Sequence, residues 1–259
     1  AELEAAVPLV RTIVPPTPQH AWPLLARRTG AQVWVKHENH TPTGAFKVRG
    51  GVVYLDGLKR NTPKLKGVVT ATRGNHGQSI ALAAAREGVP CTIFVPRGNS
   101  REKNAAMQAF GGKLTVIGTD FDECRPHAAK YAEERGYHYV PSFHADLVRG
   151  VGTYALELLQ TVPDLDAIYV PIGMGSGICG LITVRDLLGL KTDIIGVVAD
   201  AAPAVALSFA QGHPVPTNAA ATFADGMACR DPVAEPIDII CRGAARVVRV
   251  TEDDIAEAM

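Results

Sequence analysis

The 259-residue sequence predicts an α/β fold with a largely parallel sheet. The main observation is a repeated pattern in which a short β-branched run is followed by a Gly- or Pro-bearing loop and then by an alanine-rich helical stretch. A second observation is the composition, since 47% of the residues are hydrophobic and 20% are charged. Such a chain has enough apolar side chains for a large core in one or two compact domains.

The pattern indicates strands along the whole chain, each followed by a plausible helix or turn. The predicted strands cover residues 33–36, 67–72, 91–95, 114–117, 167–171, 194–198 and 246–250. Helices are predicted over residues 75–88, 101–110, 121–135 and 178–188. Thr251 is expected to cap a last helix that stops after Met259. We find no short-period internal repeat, which excludes a solenoid of the TPR or LRR type.

The strands and helices from about residue 66 to residue 145 form one continuous block. No low-complexity linker separates this block from the rest of the chain. We therefore predict a small domain of residues 66–145 that is inserted into a larger domain, formed by residues 1–65 and 146–259.

The charge balance and the cysteines limit the possible partners. Lys+Arg and Asp+Glu are equal at 26 each, so no overall field attracts nucleic acid or an anionic membrane. No segment approaches the ~20 apolar residues of a transmembrane helix, and the first residues lack the basic flank of a signal peptide. The five cysteines show no CxxC pair and no metal-ligand spacing. These features predict a cytoplasmic protein that acts on small molecules.

Two segments near the first strands carry candidate chemistry. Residues 41–47, Thr-Pro-Thr-Gly-Ala-Phe-Lys, place Lys47 after a turn and an aromatic residue, but a lone lysine is usually a solvated surface charge. Residues 70–78 run from a strand into a helix through a turn rich in polar residues. Amide N–H groups at such a helix start can bind a carboxylate, whereas the simpler interpretation is an N-cap at Asn75.

A glycine-rich segment, Pro-Ile-Gly-Met-Gly-Ser-Gly at residues 171–177, follows a strand and precedes a helix. Its alternating glycines allow successive N–H groups to converge on one anion such as a phosphate. The same spacing occurs in dinucleotide sites. A dinucleotide is disfavoured because the loop lies late in the chain and because no acidic residue ends a strand about 20 residues further on. Asp200 lies near that distance but beyond its strand.

These three elements, in this order, resemble the fold type II pyridoxal-phosphate enzymes, which are tryptophan synthase β-like. Within that family the sequence is similar to the threonine and serine dehydratases and serine racemase. Residues 96–103, 150–153 and 224–227 also match, so the resemblance covers nearly the whole chain. It implies two domains, each with a mostly parallel sheet flanked by helices, and pyridoxal 5'-phosphate as the cofactor.

The resemblance also implies roles for individual residues. Lys47 would bind the cofactor covalently and its freed amine would act as the general base at Cα. Thr72, Asn75 and His76 would hold the substrate α-carboxylate, and Asn75 would also contact the phenolic oxygen of the cofactor. The remaining cofactor-binding residues would be Phe46 beside the lysine, the phosphate loop of Gly173, Met174, Gly175, Ser176 and Gly177, and Gly226 near the ring.

The implied reaction is a dehydratase or ammonia-lyase reaction that converts an L-hydroxy amino acid of the threonine or serine type into a 2-oxo acid and ammonia. Met174 and Ser176 replace two glycines of the usual phosphate loop, which leaves the backbone donors in place. Arg73 stands where serine racemase has a serine base, and an arginine is a poor base. Arg73 is either part of an ion pair or a ligand for a second substrate carboxylate, which would favour 3-hydroxyaspartate.

Three alternatives remain open. They are an amino-acid racemase, a β-replacement enzyme of the same fold, and a non-catalytic ligand-binding homologue. No metal is expected, because residues 198–204 keep only Asp200 among the acidic ligands of metal-dependent relatives. The resemblance further implies a homodimer. Members of the family continue past the position of Met259, and that segment supplies the polar group that faces the pyridine nitrogen. We therefore expect either that the C-terminal part of the large domain is missing from this sequence or that another group fills the role.

Overall fold

The computed structural model describes residues 2–259. The first part of the chain forms a small antiparallel pair of strands, in which Gln19 pairs with Lys36. The strand predicted at 33–36 is therefore real but does not join a parallel sheet. The elements of this first part of the chain are α1 (Glu2–Arg11), β1 (Gln19–Ala21), α2 (Pro23–Thr29), β2 (Trp34–Lys36), a 3-10 helix (Glu38–His40) and α3 (Lys47–Asn61).

The middle of the chain forms a four-stranded parallel sheet with the strand order β5-β4-β3-β6. Asp120 caps α6 through its side chain and Gly136 ends the same helix in a left-handed conformation, as the sequence predicts for residues 121–135. The elements are β3 (Val68–Ala71), α4 (Asn75–Arg86), β4 (Cys91–Val95), α5 (Arg101–Ala109), β5 (Gly112–Val116), α6 (Phe121–Arg135) and β6 (His138–Tyr139).

The last part of the chain forms a three-stranded parallel sheet with the order β7-β8-β9. Thr251 and Asp254 form the capping box that begins the last helix. The elements are α7 (Ala145–Thr161), β7 (Ala167–Pro171), α8 (Ser176–Leu187), β8 (Asp193–Ala199), α9 (Ala204–Gln211), a 3-10 helix (Asp225–Met227), α10 (Ala234–Gly243), β9 (Arg246–Val250) and α11 (Glu252–Ala258). The α/β class with parallel sheets flanked by helices is thus confirmed.

Each parallel sheet has its own hydrophobic core. One core contains Ile178 and Ile194 around the β7-β8-β9 sheet, and another contains Ile80 and Ile93 around the middle sheet. Leu55 of α3 also packs into the middle core, although it lies outside residues 66–145. The division into an inserted domain of 66–145 and a larger domain of 1–65 plus 146–259 stays a prediction.

Helix α3 is held between its neighbours by a buried ion network. Arg49 is fully buried, and its guanidinium donates to Glu38 at 2.8 Å and to Glu157 at 2.8 Å. Glu157 also accepts from Lys36 Nζ at 2.7 Å. Two cations and two carboxylates therefore compensate one another in the interior, which is the condition under which buried charges are tolerated. The network fixes the start of α3, where Lys47 lies.

Close packing of α3 on α4 requires a glycine at position 51. A Cβ added there would overlap the hydroxyl of Ser79 and would lie 2.9 Å from its carbonyl oxygen. The same hydroxyl donates to the carbonyl oxygen of Lys47 at 2.6 Å. The absence of a side chain at Gly51 thus brings α4 against the first turn of α3.

Gly51→Ala is expected to lower the free energy of unfolding by about 1–3 kcal/mol, because the methyl group has no room between the helices. Gly57→Ala is the matched control in the same helix, since nothing lies within 4 Å of the added Cβ. That change is expected to stabilise the protein by about 0.5–1 kcal/mol. Urea unfolding of both variants measures the two values, and equal effects would contradict this description of the packing.

Within residues 2–259, no helix combines the length and the apolar character that crossing a bilayer requires.

Candidate active site

A cleft of about 460 Å³ lies at the carboxyl ends of β3 and β7. This is the edge at which parallel α/β sheets bind ligands. The structure brings all the predicted site residues to this one cleft, although their individual roles stay predictions. They are Phe46, Lys47, Thr72, Arg73, Asn75, His76, Gly173, Met174, Gly175, Ser176, Gly177 and Gly226.

Lys47 is the first residue of α3, and its side chain lies inside the cleft. The turn before it is closed by Thr41, whose hydroxyl accepts from the N–H of Ala45 at 2.9 Å. Lys47 Nζ donates to Ser176 Oγ at 2.7 Å and lies 5.6 Å from the centre of the Phe46 ring. Burial lowers the pKa of Lys47 to about 8. A larger fraction of this amine is therefore neutral, and hence nucleophilic, than for a lysine in water.

The reactivity of Lys47 in the cofactor-free protein is expected to rise with pH to a midpoint near 8, because only the neutral amine attacks an electrophile. The neutral fraction is about 10% at pH 7 for such a group, against less than about 0.1% for an ordinary lysine. Pulse acetylation followed by mass spectrometry measures the midpoint, with exposed Lys64 as the internal reference. A midpoint for Lys47 above pH 10 would contradict the effect of burial.

The turn between β3 and α4 is organised by Thr72. Its hydroxyl accepts from the N–H groups of Gly74 at 3.0 Å and Gly77 at 3.3 Å. Helix α4 begins at Asn75 with Gly74 at the capping position, so Asn75 is not the N-cap that the simpler interpretation placed there. The N–H groups of Asn75 and His76 lie in the first turn, where no helical carbonyl is available to them. They are donors for an anion.

The imidazole of His76 is buried and lies 3.1 Å from the hydroxyl of Thr70, measured from Nε2 to Oγ1. Burial, and secondly the charge of Lys47, lower the pKa of His76 to about 3. The ring is neutral at physiological pH. A neutral imidazole does not contribute a charge to carboxylate binding, so His76 offers its backbone N–H at this turn.

The glycine loop connects β7 to α8. Gly175 has φ = 98° and precedes the helix that Ser176 begins, and α8 has no acidic residue in its first turn. A Cβ at Gly173 would overlap the carbonyl oxygen of Gly226. A Cβ at Gly177 would lie 3.0 Å from the Phe46 ring. The loop therefore has a fixed, close-packed backbone whose N–H groups and helix dipole suit a phosphate.

The side chain of the loop methionine accepts a weak hydrogen bond from a cysteine thiol and packs on the hydrophobic core. The sulfur of Met174 lies 3.6 Å from the thiol of Cys229, and Met174 packs against the core of the β7-β8-β9 sheet. A side chain at this position leaves the backbone donors of the loop in place. The sequence-based expectation for Met174 thus refers to its backbone N–H.

Two charged residues of the cleft, Lys103 and Asp225, had no role in the sequence analysis. Lys103 Nζ donates to Asp225 Oδ2 at 2.7 Å, and Arg73 Nη2 lies 3.9 Å from Asp225 Oδ1. Lys103 is the last residue of the matching segment 96–103, and Asp225 lies within the matching segment 224–227. No motif indicated that the two residues form a pair. The structure alone shows that they meet beside Arg73.

No group of three or more His, Cys, Asp or Glu side chains that could hold a metal ion is present among residues 2–259. Asp200, the acidic residue retained in the 198–204 segment, pairs with Arg249 at 2.6 Å.

The residues of the cleft fit pyridoxal phosphate on three structural observations. Lys47 is a buried amine that would be able to react with the aldehyde of the cofactor. The backbone at Gly173–Gly177 packs so closely on neighbouring residues that its glycines leave no room for Cβ atoms, and it leads into a helix with no acidic residue in its first turn. The cleft volume suits a small cofactor with its substrate.

Comparison with known proteins gives the same family. The family model described as "Pyridoxal-phosphate dependent enzyme" matches residues 10–259. The chain is 37% identical over 235 residues to an L-threonine ammonia-lyase of Geobacter sulfurreducens, with 90% of this chain and 58% of the relative covered. An L-threonine dehydratase of Salmonella typhimurium is 33% identical, with 94% of this chain and 47% of the relative covered. The chain thus spans about half of the length of such curated relatives.

Solved structures agree with the sequence comparison. A pyridoxal 5'-phosphate-dependent aspartate racemase superposes with a TM-score of 0.93 at 30% identity, covering 100% of this chain and 81% of the other. Threonine deaminase isoform 2 from Solanum lycopersicum superposes with a TM-score of 0.87 at 30% identity, covering 97% and 75%. The buried lysine, the glycine loop and these matches lead to one conclusion. The chain belongs to the pyridoxal-phosphate dependent enzyme family.

Proposed function

We propose that this protein is a pyridoxal-phosphate-dependent ammonia-lyase that converts an L-2-amino-3-hydroxy acid into a 2-oxo acid and ammonia. The observation that carries the proposal is the position of Lys47, a buried amine in a cleft flanked by the starts of α4 and α8. The names of the relatives support it, because an L-threonine ammonia-lyase and a threonine deaminase are among them.

Pyridoxal phosphate, when bound, supplies the electron sink for the electron pair that is left at Cα. The residues of the chain carry out the proton transfers and orient the substrate. The amine of Lys47 removes the Cα proton, and the β-hydroxyl leaves with a proton as water. Hydrolysis of the released enamine, as its imine tautomer, then gives the 2-oxo acid and ammonia. Over the whole reaction one water is lost and one is consumed.

Anion binding orients the two ligands in the cleft. The N–H groups of Asn75 and His76 and the dipole of α4 would bind the substrate α-carboxylate. The Gly173–Gly177 backbone and the Ser176 hydroxyl, now an acceptor for Lys47, would bind the phosphate. The positive ends of both helix dipoles favour an anion, and neither helix has an acidic residue in its first turn to occupy that place.

A racemase needs a second base at Cα. Arg73 occupies the position immediately before the Gly74-Asn75 pair, and a guanidinium does not deprotonate at working pH. His76 is neutral but is buried against Thr70. Lys47 therefore remains the acid–base group at Cα in this proposal, which favours elimination over racemisation. The homodimer and the cytoplasmic location stay predictions.

The charges of the cleft favour a substrate with a second carboxylate, namely 3-hydroxyaspartate. Arg73 and Lys103 are two cations, and among residues 2–259 Asp225 is the one carboxylate that lies within 4.0 Å of them. An uncompensated positive charge in a cleft is complementary to an acidic side chain. The similar aspartate racemase acts, by its name, on a dicarboxylic amino acid.

Arg73→Ala is expected to lower kcat/KM for 3-hydroxyaspartate about 10- to 100-fold, because charge-assisted hydrogen bonds contribute about 1.5–3 kcal/mol each. The values for threonine and serine are expected to change less than about threefold, since those substrates lack the second carboxylate. Steady-state kinetics with both hydroxyaspartate diastereomers measure the effect. Arg73→Lys is the matched control that keeps the charge. Undiminished activity of Arg73→Ala on hydroxyaspartate would refute the substrate proposal.

A further inference from the structure

Arg73, Lys103 and Asp225 form a charged group in the wall of the cleft, which we call the acidic-substrate triad. The Lys103–Asp225 pair is hydrogen bonded at 2.7 Å, whereas Arg73 approaches the same carboxylate only to 3.9 Å. The exposed fraction of the side chain is 31% for Arg73, 30% for Lys103 and 22% for Asp225. The charges are thus partly shielded from solvent and interact more strongly than charges on an open surface.

The pairing within the triad is unequal. Asp225 compensates Lys103 directly, but its distance from Arg73 exceeds that of a hydrogen bond. Among residues 2–259, Arg73 Nε finds no hydrogen-bond partner although the atom is buried. Two cations and one carboxylate leave a net charge of about +1 on the triad, and this charge resides on Arg73.

The position of Lys103 is fixed by the turn that carries Arg73. The aliphatic stem of Lys103 packs against Gly74, where an added Cβ would overlap Lys103 Cδ. Ser100 caps the helix from which Lys103 projects, because its hydroxyl accepts from the N–H of Lys103 at 3.3 Å. The Lys103–Asp225 pair therefore reaches from α5 to the Asp225–Met227 segment next to Arg73.

We infer that Asp225 is a specificity-determining residue that sets the net charge of the triad. It neutralises Lys103, leaves Arg73 as the cation for the ligand, and so matches the cleft to a single carboxylate beyond the α-carboxylate. Without Asp225 the triad would carry about +2, and without Lys103 it would carry about zero. The inference rests on the proposed function for the place of the α-carboxylate, at the start of α4.

The test is a charge-restoration series in the cofactor-loaded protein. The variants are Asp225→Asn, Lys103→Gln and the double variant, which are close in shape to the wild type and keep polar atoms for the pair. Titration calorimetry measures the affinity for succinate and for butyrate, two non-reacting acids of equal carbon number with two and one carboxylates. The readout is the affinity for succinate divided by the affinity for butyrate.

The expected ratio rises about three- to tenfold in Asp225→Asn and falls by a similar factor in Lys103→Gln. In the double variant, whose net charge equals that of the wild type, the ratio returns to within about twofold of the wild-type value. The differences shrink in 0.5 M NaCl, because salt screens partly exposed charges. Thermal unfolding of each variant checks that the fold is kept.

A double variant that stays as far from the wild type as either single variant would overturn the inference, since Asp225 would then act as a structural link and not through charge. A lower ratio in Asp225→Asn would also overturn it. The series measures binding and not turnover, so its outcome can be distinguished from a failure of the proposed reaction. If the ratios follow the expected order but no hydroxy amino acid is consumed, the proposed reaction fails and the charge rule stands.

Discussion

Lys47→Ala is expected to lower turnover of the hydroxy amino acid by at least about 10⁴-fold, the largest effect of any single change in this protein. In the proposed function, the substitution removes both the amine that would hold the cofactor and the group that would take the Cα proton. The buried position of Lys47, with its hydrogen bond to Ser176, places this amine at the centre of the cleft.

The variant also has a direct chemical readout. Borohydride reduction followed by peptide mass spectrometry is expected to locate the cofactor on Lys47 in the wild type and to find no label on that segment in Lys47→Ala. Ser176→Ala is the comparison variant, because it removes the hydrogen-bond partner of Lys47 and one proposed side-chain donor to the phosphate but keeps the amine. Its turnover is expected to fall less than about tenfold. A labelled lysine elsewhere, or an active Lys47→Ala variant, would contradict the assignment.

The second large effect is expected in the glycine loop. Gly173→Ala places a methyl group on the carbonyl oxygen of Gly226, so the loop and the neighbouring Asp225–Met227 segment must separate. A strained insertion of this kind costs about 1–3 kcal/mol. The dissociation constant of pyridoxal phosphate is therefore expected to rise about 10- to 100-fold.

Fluorescence titration of the cofactor-free protein with pyridoxal phosphate measures this change. Gly57→Ala makes the same chemical change in open space on α3 and is expected to leave the dissociation constant unaltered. If Gly173→Ala binds the cofactor as tightly as Gly57→Ala does, the loop is not the phosphate site.

The longer elements of the fold were predictable because local signals agreed. The strand Cys91–Val95 is a β-branched run before a Pro-Arg-Gly turn, and α6 begins at a side-chain cap and ends at Gly136. The strands β1 and β6 have three and two residues. Runs this short show no periodicity, so their pairing depends on tertiary contacts that the sequence does not display.

The sequence predicted those site residues that come directly after the end of a strand. The segments after β3 and β7 meet because the carboxyl ends of parallel strands lie at one edge, and Lys47 joins them through α3. The Lys103–Asp225 pair was not predictable, since 122 positions separate the two residues. The burial of Arg49 was not predicted, because it depends on Glu157, which lies 108 positions away.

Product analysis tests the central claim most directly. The cofactor-loaded protein is incubated separately with L-threonine, L-serine and both diastereomers of 3-hydroxyaspartate, and the 2-oxo acid, the ammonia and the chirality of the remaining amino acid are measured. Elimination by Lys47 predicts equimolar 2-oxo acid and ammonia from at least one substrate, without accumulation of a D-amino acid. Inversion at Cα with no 2-oxo acid, or no consumption of any hydroxy amino acid, would contradict the account.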